Sequence, residues 1–441
     1  MADTTKIWPI FRWANGGLSD DLFTGIQNSF YYSQNLEIRE DMRSIYPCNQ
    51  AKIAADGATL SGTPVKMIQY GTYTRAIFSG AKVYVFNSVT GVIDAGTTLT
   101  GWDVRDAEVF GNKIFITTNT KLLSVDYSSP DWSNPTEVAT LTSCNYHPLQ
   151  ATSTTLAIGD KNIIKIVLFN ALWTAIDQIT LSSNCVVKLL DYLGGYTRIV
   201  IEKDYYQNEI WLWDNSKEAI NERIPMDWYK FYQSCIYKGK HYLVSNKGLW
   251  LLNGYDYYII KRFEKFSDNP NSICVYDDKL YIGGTDWVYI YWAKNKNYNE
   301  VLAMWTYTWA KIWALGSNYV DILTSKSWKV WANTNTATDW QLDTMWYYGN
   351  SLSEIKQAMY LRVGYKVPEW WNIHIYYKTN EKDWTELTEQ SPLTANRDMR
   401  SPFATSLKLN CRFQWIQFRF VLSGWDTHVY SADLYYNDML D

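Results

Sequence analysis

The sequence predicts an all-β protein, a seven-bladed β-propeller with an extended N-terminal arm and a small C-terminal β-sandwich. Three observations carry this. The stretch "CIYKGKHYLVSNKGLWL" (Cys235–Leu251) returns without a gap as "CVYDDKLYIGGTDWVYI" (Cys274–Ile290), 39 residues on. Inside each copy, short apolar runs alternate with turn residues. Related units then recur at spacings near 40 residues, beginning near 65, 104, 146, 186, 231, 270 and 311.

The repeated unit reads strand by strand. Cys235–Tyr237 is a short apolar run, "KG" a turn, "KHYLVS" a second strand, "NKG" a second turn and "LWLLNG" a third strand. "YYIIKRF" (Tyr257–Phe263) supplies a fourth. Period-two alternation broken by turn residues is the pattern of an antiparallel meander. Four short strands in about 40 residues make one propeller blade. "EVFGNKIFITTNTKLLSV" (Glu108–Val125) and "TRAIFSGAKVYVFN" (Thr74–Asn87) fit the frame. "TTLAIGDKNIIKIVLFN" (Thr154–Asn170), "TRIVIEKDYYQNEIWLWDN" (Thr197–Asn215) and "YVDILTSKSWKVWANT" (Tyr319–Thr334) fit it more loosely. Six or eight blades are the alternatives, because the third unit is weak. Repetition has a physical cause: one blade cannot cover both of its faces, and stacking blades around an axis does.

The flanks differ, giving a division into 1–64 (arm and docking segment), 65–346 (propeller) and 347–441 (sandwich). The arm is polar and turn-rich, with one strand expected at "FYYSQNLEI". After Trp346 the strands lengthen, as in "AMYLRVGYKV", "NIHIYYKTNEKDWTEL" and "RFQWIQFRFVLSG". In the last, Ile416, Phe418 and Phe420 share one face, as in a sandwich.

Composition sets bounds on function. The formal net charge of −4 argues against nucleic acid as the main ligand, since backbone binding rests on positive charge. No apolar run is long enough to span a bilayer, and the start does not read as a secretory signal, so synthesis in a cytoplasm and no membrane partner are expected. The six cysteines (Cys48, Cys144, Cys185, Cys235, Cys274, Cys411) are scattered, read as buried free thiols, and leave no metal site expected. Four histidines occur, His147, His241, His374 and His428, none in a catalytic motif. His241 falls on Leu280 and Ile114 in other units and reads as a strand residue. Asp277 and Asp278 invite a glycosidase reading. In the repeat frame they occupy a two-residue turn, which explains them by backbone preference. Asp20 and Asp21 read as a solvated pair in the arm. The aromatic groups "NGYDYY" (Asn253–Tyr258) and "PEWW" (Pro368–Trp371) suit sugar stacking, and equally core or interface burial. No catalytic, cofactor-binding or metal residue is assigned.

Tryptophan is abundant, with 23 residues. Trp287 and Trp328 fall on Gly248, at the end of a hairpin where glycine is expected. One reading is that these codons specify glycine in the native host. A looser turn with an exposed tryptophan is the favoured alternative, and the intact mass of the native protein separates the two.

The order of a "GGLSDD" opening, "NSFYYSQNLEIRED", a seven-fold propeller and a closing module resembles propeller-containing virion structural proteins of tailed bacteriophages. The closing module reads "IKQAMYLRVGYKV…IHIYYKTNEKDW…FQWIQFRFVLSG…LYYND". The group includes tail nozzle, hub and head–tail stabilisation proteins. The resemblance implies a non-enzymatic virion component without cofactors, located in the tail. Its partners would be copies of itself in a ring-like homo-oligomer, other tail or head–tail adaptor proteins, and DNA in transient passage. The alternatives are a glycan-binding propeller that adsorbs to a host glycan, and a glycoside hydrolase.

Overall fold

The computed structural model describes residues 5–439 except 12–16, 19–28, 39–44, 49, 54–55, 58, 100–102, 169–174, 204–206, 215–219, 227, 254–255, 294–299, 308–313, 318–321, 327–328, 336–339, 349–352, 381, 388–391, 395–402 and 425–426. Asp20, Asp21 and Trp328 lie outside the described residues. All regular structure among these residues is β, and no helix is long and apolar enough to cross a membrane. The chain forms two compact units.

The unit of residues 52–286 and 308–333 is the propeller. Its innermost strands are Pro64–Gln69, Val104–Phe110, Leu149–Ala151, Cys185–Leu193, Phe231–Tyr237, Ile273–Tyr276 and Ala314–Ser317. Each packs beside the next and the last packs beside the first, so the ring has seven blades. The predicted starting points fall within a few residues of these strands. The fifth blade is the meander read from the sequence: Phe231–Tyr237, Lys240–Ser245, Gly248–Asn253 and Asp256–Arg262 in order. Its first turn holds Lys238 at φ 50° and Gly239 at φ 69°. Asp277 and Asp278 take φ 46° and 57° in the same turn of the sixth blade, the primed geometry of a tight hairpin.

Burial between blades explains the apolar runs. Ile68, Phe78 and Val83 of the first blade pack on Ile114, Ile116 and Trp132 of the second. Ile164 and Ile166 of the third pack on Ile199, Ile201, Trp211 and Trp213 of the fourth. Ile199, Val200 and Ile201 are all buried, because a middle strand meets a neighbour on each face. Tyr242 and Tyr281, the best-repeated aromatics, are core residues.

Closure is made by a strand from ahead of the ring. Ala314–Ser317, Ile322–Lys326 and Lys329–Asn335 are joined in one sheet by Gln50–Ile53 as the fourth, outer strand. A few residues later Asp56–Gly57 pairs in parallel with Val92–Ile93 on the first blade. The same short segment therefore fastens the outer edges of the last blade and the first.

The other unit holds residues 1–51, 287–307 and 334–441. One of its sheets runs Leu36–Ile38, Ile45–Pro47, His428–Asp438, Lys356–Lys366, Phe403–Phe413, with Lys6–Phe11 also on His428–Asp438. The second runs Gly17–Leu18, Ser29–Gln34, Trp340–Thr344, Ile416–Leu422, Asn372–Thr379, Thr385–Glu386, with Leu393–Thr394 also on Asn372–Thr379. Ile416, Phe418 and Phe420 are buried, as their alternation predicts.

This division differs from 1–64, 65–346 and 347–441. Strands from the first 47 residues are members of both sandwich sheets; the pair Trp287–Ala293 and Glu300–Tyr307 belongs by hydrogen bonding to the sheet of the sixth blade but clusters by its contacts with this unit. The physical reason for the N-terminal strands is edge satisfaction: without Lys6–Phe11, Ile45–Pro47 and Ser29–Gln34, His428–Asp438 and Trp340–Thr344 would present unpaired backbone. Side chains lock the pairing. Tyr347 donates its hydroxyl to the Ile10 carbonyl at 2.8 Å, and Trp340 Nε1 donates to the Cys48 carbonyl at 3.0 Å.

Trp287 does not have the glycine geometry of Gly248. It is buried, lies outside the left-handed region and stands edge-on to Tyr32 at 5.5 Å. Two other tryptophans do have positive φ, Trp228 at 74° and Trp370 at 73°. The Trp371 N–H donates to the Pro368 carbonyl at 3.3 Å, closing a type II turn with Trp370 at the position that favours glycine. Trp370 is 94% exposed, so little packing is lost by removing it. Trp370→Gly is expected to stabilise the chain by about 1 kcal/mol by relieving left-handed strain. Urea unfolding checks this; an unchanged or lower midpoint contradicts it.

Candidate functional site in the propeller axis

The inner strands converge on a cavity of ≈ 120 Å³ lined in part by Lys66, Asp106, Glu108, Gln150, Asp191 and Ser234. These residues come from the first, second, third, fourth and fifth blades, so the cavity faces the ring axis. Arg105 and Lys188 also line it. Strands wedge closest here, and burying this much charge demands compensation.

The compensation can be traced group by group. Asp106 accepts from the backbone N–H of Ala107 at 2.8 Å and of Leu149 at 2.9 Å, and pairs with Lys66 at 3.1 Å. Lys66 lies 3.8 Å from Glu108 as well. Burial works against the Lys66 charge, but Asp106, Glu108 and Asp191 outweigh it and hold the ammonium above its ordinary range. Burial pushes the Glu108 carboxyl up, with Asp106 and Asp191 adding and Lys66 opposing. Lys188 pairs with Glu202 at 2.6 Å and rests over the Tyr146 ring.

A second network runs outward from the cavity. Asp191 Oδ2 lies 3.0 Å from His241 Nε2, and His241 Nδ1 lies 2.6 Å from the Tyr257 hydroxyl. His241 is fully buried. Burial pushes the Tyr257 hydroxyl well above the ordinary phenol range, so it stays protonated. The network links the fourth blade to the fifth, and its buried carboxylate and imidazole each meet a polar partner. Burial also raises the thiols on adjacent inner strands, Cys274 to about 12 and Cys235 well above the usual range. Neither is a thiolate nucleophile at neutral pH.

The other candidates from the sequence lie apart from the cavity or at its wall. His147 borders it, with Nδ1 2.9 Å from the Gly159 carbonyl and Nε2 3.2 Å from that of Asn119. His374 pairs with Glu386 at 2.6 Å in the sandwich unit, and His428 is buried there. Asp277 and Asp278 occupy their turn. All six cysteines are free thiols; Cys48 and Cys185 are buried and the other four are partly exposed. Tyr257 is core, whereas Trp370 is exposed. Among the described residues no group of three or more His, Cys, Asp or Glu is placed to hold a metal ion. Lys66, Arg105, Glu108 and Asp191 were not legible as a site. The available signal was a charged residue inside an innermost strand, such as Glu108 in "AEVF".

Neither a family model nor a curated relative matches the chain. Among solved structures, the Neurospora crassa Pan2 WD40 domain is similar at 8% identity and a TM-score of 0.50, over 67% of this chain and 97% of that one. The computationally designed Ika8 protein is similar at 10% identity and a TM-score of 0.41, over 65% and 85%. The fold is a β-propeller, seven-bladed in this chain.

Proposed function

We propose that the protein is a non-enzymatic structural component of a phage virion, a tail nozzle, hub or head–tail junction subunit. It would assemble with copies of itself and with neighbouring tail proteins. One observation supports this reading above the others. Stretches that carry the phage resemblance, remote from one another in sequence, lie side by side in one sheet. Ser29–Gln34 of "NSFYYSQNLEIRED" pairs with Trp340–Thr344, which pairs with Ile416–Leu422, which pairs with Asn372–Thr379. These stretches thus resemble the phage proteins as one module. The pinned acids at the axis fit a building block: Asp106 and Asp191 are each engaged by neighbours. A mildly acidic chain also suits a conduit that DNA must pass without being held.

A glycan-adsorption reading has one observation of its own, the exposed Trp370 and half-exposed Trp371 at a turn of the sandwich unit. Immunogold electron microscopy of particles from the source culture separates the readings. Gold at the neck or tail is expected. Gold at fibre tips would favour adsorption. Unlabelled particles beside abundant soluble protein would overturn the virion reading.

A further inference from the structure

We propose that the axial cavity binds a small diffusible oxyanion, held on the guanidinium of Arg105. The site does not depend on where the protein sits in a particle.

The case rests on which cavity groups are already used. Asp106 is spent on two backbone N–H groups and Lys66, and Asp191 on His241. Lys188 is spent on Glu202. Arg105 uses only Nε, donated to Asn119 Oδ1, and its two terminal nitrogens have no partner among the described residues. The Ser234 hydroxyl on the same wall has none either. The groups left unused at the cavity thus include the two terminal nitrogens of Arg105 and the Ser234 hydroxyl, all able to donate. A guanidinium fork matches the paired oxygens of a carboxylate, sulfate or phosphate. A volume of ≈ 120 Å³ has room for such an ion with a few waters.

Glu108 is the apparent obstacle. Lys66, Asp106 and Asp191 act on it electrostatically, and Arg105, Lys188, Tyr146 and His147 share the cavity lining with it. Its ion pair with Lys66 is loose, at 3.8 Å. Burial favours its neutral acid, which donates a hydrogen bond to an anion where the carboxylate would repel it. A group whose pKa is raised in the free protein gains protons as pH falls. Anion affinity should therefore rise as pH falls through the Glu108 transition.

Sulfate keeps its charge across this range, so a change in its binding reports the protein. Calorimetric titration of sulfate into the full chain, at about pH 5 and about pH 8 and constant ionic strength, tests the proposal. Saturable binding at one site is expected, tighter at the lower pH. Arg105→Gln should weaken it at least about tenfold. Glu108→Gln should keep binding and lose the pH dependence. Failure of wild-type protein to saturate, a flat pH profile, or unchanged affinity in Arg105→Gln would each overturn the proposal. If Arg105→Gln does not fold, the wild-type profile and Glu108→Gln still decide. A tri-aspartate peptide that binds more tightly than sulfate would assign the anion to an inserted acidic side chain and overturn the diffusible ion.

Discussion

Replacing His241 by alanine is expected to destabilise the propeller by about 3–5 kcal/mol, because it strands a buried carboxylate. The His241 ring meets Asp191 Oδ2 at 3.0 Å, and the Tyr257 hydroxyl would lose one of its partners as well. The cost comes from uncompensated burial, so it should be non-additive. The double variant Asp191→Leu/His241→Leu removes both polar groups and should recover most of the loss. Aligned positions in other blades carry Leu280 and Ile114, both fully buried, so an apolar residue suits this site. Urea unfolding of the two variants gives the result. A loss below about 1 kcal/mol in the single variant would show that the network bears no weight.

Gly248→Ala is expected to cost at least about 3 kcal/mol, from strain and collision together. Gly248 sits at φ 143°, and a Cβ there would lie 2.0 Å from the Lys261 carbonyl oxygen. That oxygen belongs to the paired strand, so backbone must move. Gly239 is the internal comparison. Its φ is 69°, and a Cβ would meet nothing within 4 Å. Gly239→Ala should therefore cost only the left-handed term, about 1–2 kcal/mol. Equal losses at the two positions would rule out the collision.

The ring was legible because its information is local and repeated. Turn pairs such as Lys238–Gly239 and Asp277–Asp278 announce themselves by residue type, and each blade repeats the message. The arm was read as a segment that docks on the rest, but its partners were not legible because its pairing is remote: Lys6 meets Tyr436, and Phe30 meets Thr344. A strand looks the same in sequence whether its partner is ten or four hundred residues away. The cavity was hidden for a similar reason. Lys66, Glu108 and Asp191 lie one blade or more apart along the chain, and only closure of the ring brings them together. His241 was read as a strand residue, which it is. Its network could not be seen, because Asp191 belongs to another blade.

The fastening strand Gln50–Ile53 has a consequence for how the molecule is made. It is synthesised before any blade, yet its sheet partner Lys329–Asn335 is among the last propeller strands to emerge. During synthesis the six earlier blades must stack as an open arc with two unsealed ends. Loop-closure entropy then falls on one late event, and contacts of such sequence separation form slowly. Until that event the arc exposes apolar blade faces and unpaired edges, the state most prone to associate wrongly with a second chain. A nascent chain halted just short of Lys329 is thus the form in which a chaperone would find the most to hold.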